Sequence, residues 1–148
     1  MIIELTSANL DKILPIGKAF AAEANYPGGF SLDALRVGWV PLLDMGLGTV
    51  FAIEDRGEVV AALGMAFLPD MFSGRATAIE QFWYVQPKYR HTRFGLDLFY
   101  AFEAAGKARN VKKLVLVHLA ALTPAKLQAF YESRGYVLVE QTFWKELA

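Results

Sequence analysis

The chain reads as one α/β domain, and three observations carry that reading. Apolar residues recur with a helical period in some segments and a strand period in others, and the two kinds alternate along the whole length. Gly, Pro, Asn and Asp punctuate the segments at their ends. At 148 residues and 55% hydrophobic, the chain is large enough to bury a substantial core and too short for two ordinary domains.

In chain order, Ile2 to Leu5 is a short strand, β1. Asn9 to Ala24 is a helix, α1, with Leu10, Ile13, Leu14 and Phe20 toward the core, and Pro15 is expected to kink it. Ser31 caps a second helix, α2, that reaches about Asp44. Thr49 to Glu54 (β2) and Glu58 to Phe67 (β3) alternate as strands do, with Asp55-Arg56-Gly57 as the hairpin turn between them. Ala76 to Val85 is β4: Ile79, Phe82, Trp83, Tyr84 and Val85 suit a largely buried strand, and Pro87 cannot continue its ladder, so it ends near Gln86. From Phe94, residues Leu98, Ala101, Phe102 and Ala105 fall on one helical stripe, α3, before Asn110 closes it. Lys113 to His118 is a continuous apolar strand, β5, of the kind covered on both faces. Thr123 is placed to cap α4, with Pro124 at its first position and Gly135 as its stop, and Tyr136 to Lys145 reads as a last strand or hairpin, β6. There are no internal repeats, low-complexity tracts or linkers.

The segment with most chemical content is Ile79 to Gly95, a strand, a sharp turn and a helix start in succession. The first N–H groups of a helix lack intrahelical partners and lie at the positive end of its dipole, so a bound anion satisfies them. Arg90 and Arg93 in the turn can add charge-assisted contacts. His91 reads equally as a phosphate donor and as a solvated loop residue.

Composition excludes other classes. With no cysteine, disulfides, thiolate metal sites and cysteine nucleophiles are all absent, and His91 and His118 have no partners at metal-ligand spacing, so no metal is expected. No basic and apolar leader opens the chain and no apolar run reaches membrane length, which points to a cytoplasmic protein without membrane contact. Net charge is zero but unevenly spread: residues 1–85 carry −5 and residues 86–126 carry +6. A phosphate-rich ligand on the second part and a cationic amine approaching the first suit that asymmetry, although Lys107 to Lys113 read best as a helix C-terminus and a solvated turn. No broad basic face with stacking aromatics suggests nucleic acid.

Two motifs carry a family resemblance. Val85-x-Pro87-x-Tyr89-Arg90-x-x-x-x-Gly95-x-x-Leu98 resembles the acyl-CoA pyrophosphate motif, Arg/Gln-x-x-Gly-x-Gly/Ala, of the GNAT superfamily of CoA-dependent N-acetyltransferases, with Arg93 standing where the family has its first glycine. Tyr131-x-x-x-Gly135-Tyr136 resembles the family's Tyr-x-x-x-Gly-Phe/Tyr signature, with Pro124 in place of an asparagine seven residues before the tyrosine. The run from Ile79 to Pro87 looks like the aromatic variant of this strand in GNAT proteins of phages and bacteria. The element order β1-α1-α2-β2-β3-β4-α3-β5-α4-β6 is similar to the GNAT fold, a mixed central sheet flanked by helices, over essentially the whole chain.

The resemblance implies acetyl transfer from acetyl-CoA to a primary amine by direct attack in a ternary complex. It places the acyl-CoA contacts on Tyr84, Val85, Arg90, His91, Arg93, Phe94 and Gly95, with backbone N–H groups near Tyr84 and Val85 receiving the thioester oxygen. Tyr131 would serve the departing sulfur; its other reading is an amphipathic core tyrosine. Glu80, the only acidic residue of its strand, is the candidate base, its proton affinity raised by aromatic neighbours; it reads equally as solvent-facing or paired with Arg75. His118 is a second candidate base or a satisfied core histidine. The acceptor, a small molecule or a protein amine, is expected at the loops Asn25 to Phe30 and Leu68 to Gly74, where Tyr26, Phe30, Met71 and Phe72 offer apolar contact and Asp70 could meet an ammonium group. Exposed aromatics there equally mark a homodimer contact. Two other readings stand beside the enzyme: a catalytically silent domain of this fold that binds acyl-CoA or a partner chain, and a nucleotide-binding α/β domain, for which neither glycine-rich phosphate motif occurs.

Overall fold

The sheet grows from its central hairpin. β2 (Gly48–Asp55) and β3 (Glu58–Pro69) pair antiparallel across Arg56 and Gly57, whose φ values of 52° and 84° form the two-residue turn that matches strand twist. In the computed structural model, which describes residues 1–148, β1 (Ile2–Leu5) adds antiparallel to β2, and β4 (Ala76–Val85) antiparallel to β3. β5 (Lys113–Val115) adds parallel to β4, so the sheet is mixed, in the order β1-β2-β3-β4-β5. β3 is central and buried without a break from Val59 to Phe67.

Helices cover both faces. α1 (Leu14–Glu23) and α2 (Leu32–Asp44) lie on one, where Leu10, Ile13 and Ile16 pack with Val50, Ala52, Ala62 and Tyr84. α3 (Phe94–Ala108) lies on the other, where Leu98 and Phe102 meet Ile53, Leu63, Met65 and Ala78. α4 (Pro124–Ser133) joins that second face through Phe130 and Tyr131, whose rings lie 6.2 and 6.3 Å from that of Trp83. No helix is long and apolar enough to cross a membrane.

The structure departs from expectation at four places. The first helix divides into a 3-10 turn, Leu10–Ile13, and α1, so Pro15 falls in the first turn of α1, where a missing N–H costs nothing and no kink is needed. β5 stops at Val115 rather than His118. No β6 forms: residues 136–148 hold no regular structure, and Val137, Val139, Phe143 and Leu147 stand exposed, because the short β5 offers almost no ladder to which a further strand could bond. Thr123 occupies the cap position of α4 in a left-handed conformation (φ 39°, ψ 51°), from which its hydroxyl makes no cap bond. The other end of α4 is as expected: Tyr136 N–H reaches Tyr131 C=O and Gly135 N–H reaches Glu132 C=O, both at 3.1 Å, over a glycine at φ 86°.

Candidate active site

The site follows from the shortness of β5. Its ladder with β4 covers Thr77, Ala78 and Ile79 and then ends, while β4 runs on to Val85 against β3 alone. The edge of β4 from Glu80 onward is therefore open on the β5 side. Gln86 N–H donates to Val60 C=O at 3.0 Å beyond the pair Ala61–Val85. In an antiparallel ladder this turns the Tyr84 peptide toward Ala62 and leaves the N–H and C=O of Val85 on the open edge.

A bulge decides where Glu80 points. Gly64 faces Phe82 and the next residue, Met65, faces Glu80, so Gln81 is an extra residue in β4. Strict alternation would put Glu80 and Trp83 on opposite faces; the bulge brings both to the α3/α4 face. Glu80 is 4% exposed, so it neither faces solvent nor pairs with Arg75. Its Oε2 accepts the Val117 N–H at 3.0 Å, and burial pushes its carboxyl from 4.5 up to about 7 against the lowering effect of that bond. The Tyr131 hydroxyl donates to the C=O of the same residue, Val117, at 2.7 Å. Burial, then the nearby Glu80 charge, raises the Tyr131 phenol well above its ordinary value. Glu80 and Tyr131 thus meet at one residue, Val117, bonding its N–H and its C=O, which belong to successive peptide groups just beyond the end of β5. Beside them, both ring nitrogens of His118 and the indole Nε1 of Trp83 are buried without a partner.

The phosphate turn is open in its backbone. The Thr92 hydroxyl accepts the Phe94 N–H at 3.2 Å, whereas the N–H groups of Arg93, Gly95 and Leu96 find no acceptor in the chain. A Cβ built on Gly95 would lie 3.5 Å from Val85 Cγ2 and 3.7 Å from Trp83 Cζ2, so the start of α3 sits directly against the end of β4. Such a row of unfilled amides fits a diphosphate. Phe94 stacks on Tyr89 at 5.7 Å, and His91 and Arg93 are exposed, with Arg93 3.5 Å from Asp97. A cleft of about 480 Å³ lined in part by Arg56, Lys88, Tyr89, His91 and Thr92 opens beside this turn.

Arg90 does not lie with the others. Its Nη1 and Nη2 bond the Glu23 carboxylate at 2.7 and 2.5 Å, and its Nε donates to Val85 C=O at 3.0 Å. The Tyr84 hydroxyl donates to the same carboxylate at 2.6 Å, and its phenol is pushed up to about 12, by burial first and then by Glu23. The side-chain bond from Arg90 is the main cause that lowers the Glu23 carboxyl. Glu23, the last residue of α1, had no signal in the sequence, because nothing local ties it to Arg90 sixty-seven positions on. Of the loop residues, Asp70, a candidate partner for an acceptor's ammonium group, is instead engaged by the Lys113 ammonium, and its carboxylate also accepts the N–H groups of Phe72 and Ser73. Met71 and Phe72 are exposed, while Tyr26 packs on Phe20 and Trp144 at 5.8 Å. No group of three His, Asp or Glu side chains comes together as a metal site would require.

A mixed sheet whose fourth and fifth strands part in front of a helix start, with helices on both faces, defines the GNAT fold. Residues 20–136 match the model of the Acetyltransferase (GNAT) family, and the chain belongs to that family. Among solved structures, an aminoglycoside acetyltransferase from an uncultured soil metagenomic sample, in complex with trehalose, is similar at 18% identity and TM-score 0.76, covering 100% of this chain and 96% of that one. A predicted acetyltransferase with acetyl-CoA from Clostridium acetobutylicum is similar at 17% identity and TM-score 0.77, with 100% and 95% covered. The ribosomal-protein-alanine N-acetyltransferase of Brucella melitensis biovar Abortus 2308 is similar at 17% identity and TM-score 0.70, with 99% of each chain covered. At these identities the likeness is one of fold. No curated protein matches the chain at a significant level.

Proposed function

We propose that this protein is an N-acetyltransferase that moves the acetyl group of acetyl-CoA to a primary amine by direct attack in a ternary complex. The observation that carries this is the convergence of Glu80 and Tyr131 on the main chain of Val117, beside the open edge of β4, whose end lies against the α3 start with its unfilled amides. The N–H groups of Arg93, Gly95 and Leu96 hold the diphosphate, and the Val85 N–H receives the thioester oxygen as it gains charge.

The reacting ammonium first gives one proton to solvent, and Glu80 takes the second, which the nitrogen loses as it attacks. A carboxyl raised to about 7 is half ionised at neutral pH and is basic enough to accept that proton through a water. The amine nitrogen bonds to the carbonyl carbon, the carbon–sulfur bond breaks, and the sulfur takes a proton from the Tyr131 hydroxyl, which turns to it from Val117 C=O. Glu80 ends protonated and returns its proton to solvent, from which Tyr131 is restored.

The test is a screen of amines with acetyl-CoA, read by thiol release and by the mass of the product. Transfer to any amine, slowed in Tyr131→Phe and, at neutral pH, in Glu80→Gln, supports the reading. A second reading, a silent acyl-CoA-binding domain, is favoured by the engagement of Tyr131 with Val117 and of Arg90 with Glu23. CoA binding without transfer to any amine would select it. We further propose a cytoplasmic protein acting on small-molecule or protein amines, for which the acidic first part of the chain supplies attraction.

A further inference from the structure

The Glu23 carboxylate is part of a cation site, and the chain fills it with a guanidinium of its own. Arg90 lies over the Tyr84 ring at 5.3 Å while bonding Glu23 through both terminal nitrogens. Phe20 meets Tyr84 edge-on at 5.8 Å and Tyr26 at the same distance, so an aromatic wall backs the carboxylate. A carboxylate beside the face of a tyrosine is a general receptor for guanidinium and alkylammonium groups. The site is also open: the Glu23 side chain is 30% exposed and that of Arg90 43%.

We propose that Glu23 and the Tyr84 ring bind a second cationic group of the acceptor, one that does not react, and that Arg90 occupies this site until the diphosphate of CoA draws it away. This rests on the transfer reading above and narrows its substrate class to amines with two or more positive charges. The position agrees. The Tyr84 side chain leaves β4 one residue before the Val85 N–H proposed for the thioester oxygen and reaches Glu23 on the α1/α2 face, opposite to Glu80 and Tyr131, so the acceptor would span the open edge of β4 with its second cationic group on the α1/α2 side. Departure of Arg90 also releases the Val85 C=O, which its Nε now holds, for a polar group of the incoming cosubstrate. The same step would therefore open both halves of the site.

The experiment is calorimetric titration with 1,5-diaminopentane, with 1-aminopentane as the singly charged control. Arg90→Ala, without CoA, should bind the diamine at least about tenfold more tightly than wild type, since its internal competitor is gone. Glu23→Gln on that background should abolish the gain, and saturating CoA should reproduce it in wild type. Melting curves check that each variant folds; if Arg90→Ala does not, Arg90→Gln and the CoA arm decide. Equal diamine affinity in wild type, in the Arg90 variant and in the CoA complex would overturn the proposal, as would a gain that survives Glu23→Gln, or acetyl transfer to 1-aminopentane as efficient as transfer to the diamine. Diamine binding in the proposed pattern without acetyl transfer would instead leave the cation site standing and refute the transfer reading.

Discussion

Replacing Glu80 by Gln separates the charge of this side chain from its shape. Wild-type Glu80 is held at about 7 in the folded protein, against 4.5 for an exposed glutamate, and desolvation is the dominant cause. A carboxyl raised on folding contributes stability that is complete below the unfolded value, near pH 4.5, and that is lost as pH rises through the folded value near 7. At about 1.4 kcal/mol per pH unit the loss between these limits is about 3 kcal/mol. Gln keeps an oxygen that can accept the Val117 N–H and carries no charge at any pH. Urea unfolding of both proteins at pH 5, 6, 7 and 8 should therefore show the variant gaining on wild type by about 2.5 kcal/mol across the series, since part of the loss already falls below pH 5, with most of the gain complete near pH 7.5. In activity the order reverses. Wild-type kcat/KM should rise through a pKa near 7 as the base ionises, and the variant should lose that limb. Parallel stability curves would mean that Glu80 stays near its ordinary value in the folded state, and would remove the physical basis for naming it as the base.

Tyr131→Phe keeps the ring stack on Trp83 and removes the hydroxyl, so single-turnover rates should fall by roughly 10- to 1,000-fold while CoA affinity measured by calorimetry holds. CoA should raise the melting temperature of wild type without added metal, and Gly95→Glu, which sets a carboxylate among the free amides at the start of α3, should abolish that rise. Gly64→Ala puts a Cβ 2.3 Å from Phe82 Cε1 and 2.7 Å from Trp39 Cη2, and should cost about 1–3 kcal/mol in urea unfolding; an unchanged midpoint would show that these rings shift freely.

Local pattern carried most of this fold. β4 has the expected limits, Ser31 accepts the Ala34 N–H as a cap, and the hairpin turns at Arg56 and Gly57, because each depends on residues within a few positions of one another. What was not legible depends on distant chain. The orientation of Glu80 hangs on a bulge opposite Gly64, and an extra residue in one strand leaves no mark on the alternation of an aromatic run. Arg90 matched a phosphate motif by position, yet its guanidinium is set by Glu23, a carboxylate that charge alone makes its partner. The segment after Gly135 has the composition of a strand, but a strand exists only where a neighbour offers its ladder, and β5 offers three residues.

That missing ladder also explains why the proposed catalytic pair is where it is. A chain leaving a parallel sheet must find new partners, side chains or water, for the N–H and C=O groups it withdraws from the ladder. At Val117 the two partners are the carboxylate of Glu80 and the hydroxyl of Tyr131, an acceptor for the N–H and a donor to the C=O of the same residue. The opening of β4 from β5 thus does two things at once. It exposes the Val85 N–H on the strand edge, and it brings Glu80 and Tyr131 together at the first residues beyond β5. In the transfer proposed above, a cosubstrate entering there would compete with Val117 for Tyr131, so binding energy from the α3 amides would turn the hydroxyl toward the sulfur only with the diphosphate in place.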